Sequence, residues 1–351
     1  MSARPSVAIV GATGAVGQEF LRLFEQRHFA HGELRLLASA RSAGTTTSYR
    51  GQPHPISELT EDALQDIDIA LFSAGGSISK AYGPVAAAAG ATVIDNSSAF
   101  RMAANVPLVV PEINGDLAAA FRGDDGGRRP GIIANPNCST IIMMVPLHQV
   151  WKRFGIERLV VSTYQAVSGA GAAAMRELEL QTRDLLDGRD PTCDVFDRQC
   201  AFNVFSHNSK VDPDTGRNVE EQKMIDETRK IWGDDHIRVT ATCIRVPVMR
   251  AHAEAINVTL KRDVTEAEFR AALAETEGIR LVDDRAANDF PTPLEASGRD
   301  EVLVGRIRPD ASMPHSGEGR WRAFDLFVCG DQIRKGAALN AIQIAEQVVG
   351  A

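Results

Sequence analysis

A cysteine after a tight turn, a histidine between two strand patterns and a run of closely spaced glycines are the residues here whose types and spacing could do chemistry. Cys138 follows Gly131-Ile132-Ile133-Ala134, a short apolar strand pattern, and the turn Asn135-Pro136-Asn137. It precedes a helical stretch, Ser139 to Val150, which Pro146 is expected to kink. A helix N-terminus stabilises a thiolate, and the strand ends of a parallel sheet are where ligands bind. A thiolate beside a nicotinamide can attack an aldehyde. The thiohemiacetal then gives up a hydride, and the resulting thioester passes to an acceptor. Asn137 is positioned in the chain to help hold the developing oxyanion.

That chemistry needs a general acid/base. Of the histidines, His252 stands out in Arg245-Val246-Pro247-Val248-Met249-Arg250-Ala251-His252-Ala253-Glu254, between two strand patterns. The others, His28, His31, His54, His148, His207, His236 and His315, read as surface or satisfied core residues. Five cysteines, an odd number with no CxxC pair, fit reduced thiols better than a disulfide framework or a zinc site, so no metal is expected. Cys193, Cys200, Cys243 and Cys329 fit the description of small buried apolar residues.

Gly11-Ala12-Thr13-Gly14-Ala15-Val16-Gly17 follows a strand and opens a helix. Small residues there let the backbone approach a pyrophosphate, and the helix N-terminus supplies N–H donors. NAD binders usually carry an acid at the end of the second strand. Here that segment continues into Ser39, Arg41 and Ser42, and a guanidinium with hydroxyls suits a 2′-phosphate, which favours NADP.

These groups need elements to hold them. Ser6–Val10, Glu33–Ala38, Asp68–Ser73, Ala91–Asp95 and Gly131–Ala134 read as buried strands, and Ala15 to about Gln26 as an amphipathic helix. Apolar strands alternating with helices imply a parallel sheet covered on both faces. Farther on, longer alternating strands are expected at Ile156–Ala166, His236–Pro247, Ala253–Lys261 and Trp321–Cys329. Helices are expected at Ala172–Leu186, at Thr265–Thr276 with a Thr265/Glu268 capping box, and at Asp331–Val349. The second half is therefore α+β with a mixed or antiparallel sheet. Asp124–Pro130 and Ser312–Gly319 are expected to be exposed loops.

A chain of 351 residues suggests about two domains, and 44% hydrophobic with 24% charged residues excludes a disordered chain. No stretch reaches the roughly 18 apolar residues of a membrane span, and no secretory signal is expected, which points to the cytoplasm. A net charge of −8 without basic runs argues against nucleic acid as a partner.

Taken together, these motifs resemble the aspartate-β-semialdehyde dehydrogenases of the bacterial branch, over nearly the whole chain. The resemblance rests on GATGAVG at Gly11–Gly17, NSSAFR at Asn96–Arg101, NPNCST at Asn135–Thr140 and TYQAVSGAG at Thr163–Gly171. It continues through EEQKM at Glu220–Met224, ATCIRVPV at Ala241–Val248, HAE at His252–Glu254 and KGAALNA at Lys335–Ala341. It implies the interconversion of L-aspartate 4-semialdehyde, phosphate and NADP⁺ with L-4-aspartyl phosphate and NADPH. Cys138 would be the nucleophile, His252 the acid/base, and Gln165 would orient the acyl group. Arg245 would take the substrate carboxylate, Glu220 its ammonium, and Arg101 with Lys223 the phosphate. The adjacent acids Glu220 and Glu221 could exchange roles. Ser168, Gly169 and Asn340 match positions near the nicotinamide.

The implied fold is a Rossmann-type dinucleotide-binding domain, residues 1–134 with 331–351, and an α+β catalytic and dimerisation domain with a mixed sheet, residues 135–330, in a homodimer. Three alternatives stand beside it: an N-acetyl-γ-glutamyl-phosphate reductase, a CoA-dependent reductase, and a non-catalytic NADP-binding paralogue. The first has a cysteine motif closer to NPGCYPT and no need of Glu220 for a free ammonium.

Overall fold

The computed structural model describes residues 4–123, 127–314 and 317–350. Positions 124–126 and 315–316, within the two expected loops, lie outside the described residues, as does His315. The chain divides into two compact units, Met1–Asn137 with Ala337–Ala351, and Cys138–Gly336. The divisions fall a few residues from the expected ones, immediately before Cys138 and after Gly336.

The first unit is built on a seven-stranded sheet: β1 (Val7–Val10), β2 (Leu34–Ala38), β3 (Thr46–Tyr49), β4 (Gln52–Glu58), β5 (Ile69–Phe72), β6 (Thr92–Asp95) and β7 (Gly131–Ala134). Their spatial order is β3-β4-β2-β1-β5-β6-β7, and only the β3–β4 pair is antiparallel. Val7 and Ile9 enter one apolar cluster, Ala8 and Val10 another, which is why β1 is apolar at every position. Helix Ala15–Gln26 and the C-terminal helix Leu339–Val349 supply the first cluster with Phe20, Phe24, Ile342 and Ile344. The expected final helix from Asp331 begins instead with a π-turn, Arg334–Ala338, and is regular only from Leu339.

The strands β3 and β4 were not expected. Pro53 and Pro55 argue against a strand, but both lie in the half of β4 that faces only β3. Ile56–Glu58, free of proline, is the half that pairs with β2, and it sets Glu58 opposite Ala38.

The second unit carries a mixed seven-stranded sheet: β8 (Ile156–Gln165), β9 (Phe205–Ser206), β10 (Arg238–Arg245), β11 (His252–Thr265), β12 (Ile279–Leu281), β13 (Val302–Pro309) and β14 (Arg320–Gly330). The order is β12-β13-β14-β11-β8-β10-β9. Helix Cys138–Phe154 lies against this sheet with Pro146 inside it, and it is apolar on nearly every side because nearly every side is covered. Helix Val219–Trp232 opens with a full capping box between Asn218 and Glu221, and helix Glu266–Ala274 with the expected one between Thr265 and Glu268.

Candidate active site

The register of three adjacent strands lines up the polar residues of the second unit. β10 runs parallel to β8 with Arg245 opposite Gln165 and Cys243 opposite Thr163. β11 runs antiparallel to β8 with Glu254 opposite Thr163, so His252, two residues earlier, falls opposite Gln165. Arg245, Gln165 and His252 therefore form one rank across the sheet, and Cys243, Thr163 and Glu254 a second rank behind it on the same face. All six are buried. Gln165 links the ranks: its Nε2 donates to Thr163 Oγ1 at 3.3 Å and to Ser139 Oγ, on the first turn of the Cys138 helix, at 3.1 Å. Cys138 heads that helix, half-buried, where the helix dipole gathers partial positive charge.

His252 is completely buried, and the Ala166 N–H donates to its Nδ1 at 3.0 Å. A neutral ring whose Nδ1 accepts carries its proton on Nε2. Nε2 has no hydrogen-bond partner among the described residues, which leaves it for a ligand. Burial first, and then the Arg245 charge, push its pKa down to about 3. The preceding residue, Ala251, has φ of 71°, a left-handed conformation that Gln332 Oε1 braces by accepting its N–H at 2.9 Å. The same Gln332 donates from Nε2 to Ser168 Oγ. Gly169 sits against both side chains: a Cβ there would lie 3.3 Å from His252 Nε2 and 3.4 Å from Arg245 Nη1.

Arg245 is 2% exposed and has neutral partners at its nitrogens. Nη1 donates to Ala166 O at 2.7 Å; Nη2 donates to His207 Nε2 at 2.9 Å and to Asn208 Oδ1 at 3.3 Å. Its carbon stands 5.3 Å from the centre of the Phe196 ring, and Nε has no partner among the described residues. Cys138 is among the groups whose charge it feels. Glu220 is buried, 3.4 Å from Gln165 Nε2 and 3.1 Å from Lys223 Nζ one helical turn on. That pair is not the solvated surface bridge its spacing alone would suggest. Glu221 is occupied otherwise, since its carboxylate accepts the Asn218 and Cys243 N–H groups.

In the first unit, Gly11 has φ of 87°, and a Cβ there would meet Ser73 O at 2.4 Å. A Cβ on Gly17 would lie 2.3 Å from Gly11 O. Helix Ala15–Gln26 has no side-chain cap and no acid in its first turn, so its N–H donors are available to an anion. Beside this turn is a cavity of about 500 Å³ lined by Gly11, Thr13, Gly14, Ser39, Glu58 and Tyr82, among others. The turn and cavity fit a dinucleotide. Arg41 and Ser42 stand in the exposed turn after Ser39 and are not in the cavity wall. Arg101 is buried, donating to the carbonyls of Asn135 and Asn96. Asn340 Nδ2 is taken by Asn135 Oδ1 at 2.6 Å and Val109 O at 3.0 Å, which makes it a brace for the turn leading to Asn137.

Two residues to which the motifs gave no role stand beside these ranks. His207 holds Arg245; it follows a strand only two residues long, Phe205–Ser206, which leaves no periodic signal. Glu254 is completely buried with no hydrogen-bonding partner among the described residues, and burial raises its pKa well above the usual carboxylate value. The Ser139 hydroxyl opposes that shift from alongside, outside hydrogen-bonding geometry. Burial also holds the thiols of Cys193, Cys200, Cys243 and Cys329 above their ordinary value, Cys200 at about 11. Among the described residues no cluster of His, Cys, Asp or Glu could hold a metal, and no helix is long and apolar enough to cross a membrane.

Residues 6–121 match the family model described as the NAD binding domain of semialdehyde dehydrogenase, and residues 145–335 match its dimerisation domain. The aspartate-semialdehyde dehydrogenase of Synechocystis is 49% identical over 98% of this chain and 97% of its own. That of Aquifex aeolicus is 47% identical over 98% and 97%. Among solved structures, aspartate semialdehyde dehydrogenase II from Vibrio cholerae, complexed with ASA, superposes with a TM-score of 0.92 at 44% identity over 99% of both chains. The Candida albicans enzyme with NADP gives 0.73 at 25% identity over 99% of both.

Proposed function

The chain belongs to the semialdehyde dehydrogenase family, among the aspartate-semialdehyde dehydrogenases, and from that premise we propose how its residues divide the reaction. L-4-Aspartyl phosphate is reduced to L-aspartate 4-semialdehyde with release of phosphate, on the route to lysine, threonine and methionine. What carries the reading is the rank Arg245–Gln165–His252 in the unit that begins at Cys138.

The Cys138 thiolate attacks the acyl carbon. A C–S bond forms, the C–O bond to phosphate breaks, and phosphate leaves with the electron pair. NADPH, when bound, supplies the hydride that reduces the thioester carbonyl. The resulting oxyanion lies on Cys138 and receives a hydrogen bond from His252 Nε2–H, with Asn137 beside it; its collapse releases the aldehyde and restores the thiolate. Because Nδ1 is occupied by the Ala166 N–H, His252 enters as a donor at Nε2. Acting as base requires the other tautomer, with that bond given up. Gln165 orients the acyl group, tied to Ser139 and Glu220.

Arg245 takes the substrate carboxylate in a fork. Glu220 takes the ammonium, a role that the capping duty of Glu221 leaves to it. Lys223 and Arg101 take phosphate. The cofactor is NADP, held by Gly11, Thr13, Gly14, Ala15, Val16 and Gly17, with Ser39, Arg41 and Ser42 at the 2′-phosphate. Ser168 and Gly169 face the nicotinamide, and Asn340 acts through Asn135. The enzyme works as a homodimer in the cytoplasm.

The test is NADPH formation from L-aspartate 4-semialdehyde, NADP⁺ and phosphate. Turnover confined to the N-acetylated aldehyde, or dependent on CoA and indifferent to phosphate, overturns the substrate. Cys138→Ser should bind NADP and lose most of its rate; full turnover by Cys138→Ala overturns the mechanism.

A further inference from the structure

We propose that His207 is a positioning residue whose neutral imidazole holds the Arg245 guanidinium without neutralising it, keeping its full charge for the substrate carboxylate. The inference rests on Arg245 as the carboxylate site. A buried arginine is ordinarily paired with an acid, because an isolated buried charge is costly. Arg245 is as buried as any charged residue of the site, yet its nitrogens donate to a carbonyl, an amide oxygen and an imidazole. Such partners satisfy donors while leaving a net charge, and a bidentate carboxylate can then add to it.

His207 suits the task only if Nε2 is the unprotonated nitrogen. The guanidinium of Arg245 can only donate, so Nε2 accepts and the neutral ring carries its proton on Nδ1, toward Ser209 Oγ at 3.1 Å; the Ser209 N–H, 3.2 Å from the same nitrogen, gives up that acceptor. The Ser209 hydroxyl in turn accepts the Glu220 N–H at 3.3 Å, so the carboxylate and ammonium sites share one chain of bonds. Glu220, Arg245 and Lys223 are the charges that face the ring, and burial with the two cations keeps it neutral, its pKa lowered to about 4. The backbone pins it too, since the His207 N–H donates to Cys243 O at 2.8 Å beside β10.

The test is KM and kcat for L-aspartate 4-semialdehyde in the full-length enzyme at saturating NADP⁺ and phosphate. His207→Asp gives Arg245 an internal carboxylate that competes with the substrate; KM should rise about 30-fold or more with kcat within about threefold. His207→Glu serves if the aspartate variant does not fold. His207→Ala should raise KM about 5- to 10-fold, and His207→Gln, a neutral acceptor, should rescue to within about threefold of wild type. Equal KM values for the Asp and Gln variants, or losses confined to kcat, overturn the proposal. Arg245→Lys is the control: an unchanged KM there removes the carboxylate reading beneath it, whereas a raised KM with silent His207 variants removes the His207 proposal alone.

Discussion

Gly169→Ala adds one methyl group at a point where two working groups are both anchored. The new Cβ would stand 3.2 Å from His252 Cε1, 3.3 Å from Nε2 and 3.4 Å from Arg245 Nη1. Comfortable carbon contacts are about 3.5–4.0 Å, so the His252 ring must retreat by roughly 0.4 Å, while the Arg245 contact stays ordinary. The ring cannot do so freely. His252 Nδ1 is held by the Ala166 N–H and Arg245 Nη1 by the Ala166 carbonyl. A misplacement of about 1 Å can cost about 100-fold in rate, so about 0.4 Å at His252 scales to roughly sixfold. The backbone of Gly169 needs no left-handed conformation, so stability should fall by no more than about 1–2 kcal/mol. The assay is kcat/KM for the semialdehyde beside a thermal melt and a fluorescence titration with NADPH. A kcat/KM within twofold of wild type, or a loss matched by gross unfolding, would refute the argument that Gly169 is small because His252 and Arg245 must touch it.

Glu254 holds a proton in the folded protein that the unfolded chain releases above about pH 4.5, so its contribution to stability is present below that pH and fades as pH rises. Glu254→Gln removes this titration. Its stability relative to wild type should grow by up to about 1.4 kcal/mol per pH unit above the unfolded value, and a flat difference between pH 5 and pH 8 in urea denaturation would contradict it. Gly17→Ala drives a Cβ to 2.3 Å from Gly11 O and 2.8 Å from Ala12. The backbone must move, costing about 3 kcal/mol with loss of NADPH binding; wild-type melting and affinity would count against the close turn. Arg41→Ala should lower kcat/KM for NADP⁺ about tenfold or more while sparing NAD⁺, and parallel losses with both would show that Arg41 does not read the 2′-phosphate.

What the sequence made legible follows from how local each signal is. β1 and β5 are buried at every position and betray themselves as unbroken apolar runs. The Thr265/Glu268 capping box marks its helix because the signal spans four residues. β4 hid behind its prolines, and β13 was missed with Gly305 in its middle; a Cβ there would meet Val282 O at 2.1 Å. In the candidate site, the motifs proposed residues but not their company. The choice between Glu220 and Glu221 turns on which one caps a helix. His207 and Glu254 acquire meaning only from strand register, which brings residues distant in sequence onto one face. The hydrogen bond that sets the His252 tautomer comes from Ala166, 86 positions away.

The discontinuity of the first unit also has a consequence in time. The C-terminal helix contributes Leu339, Ala341, Ile342, Ile344, Ala345 and Val348 to its core, and Glu346 pairs with Arg27 near its beginning. Between Asn137 and Ala337 lie about 200 residues of the other unit. At roughly 5–20 residues per second, a ribosome takes about 10–40 s to make them. Throughout that interval the nascent nucleotide-binding half stands complete in its strands with one side of its core uncovered. The helix Leu339–Val349 seals the first sheet from far along the chain, so this half should be a substrate for chaperones until that helix has emerged.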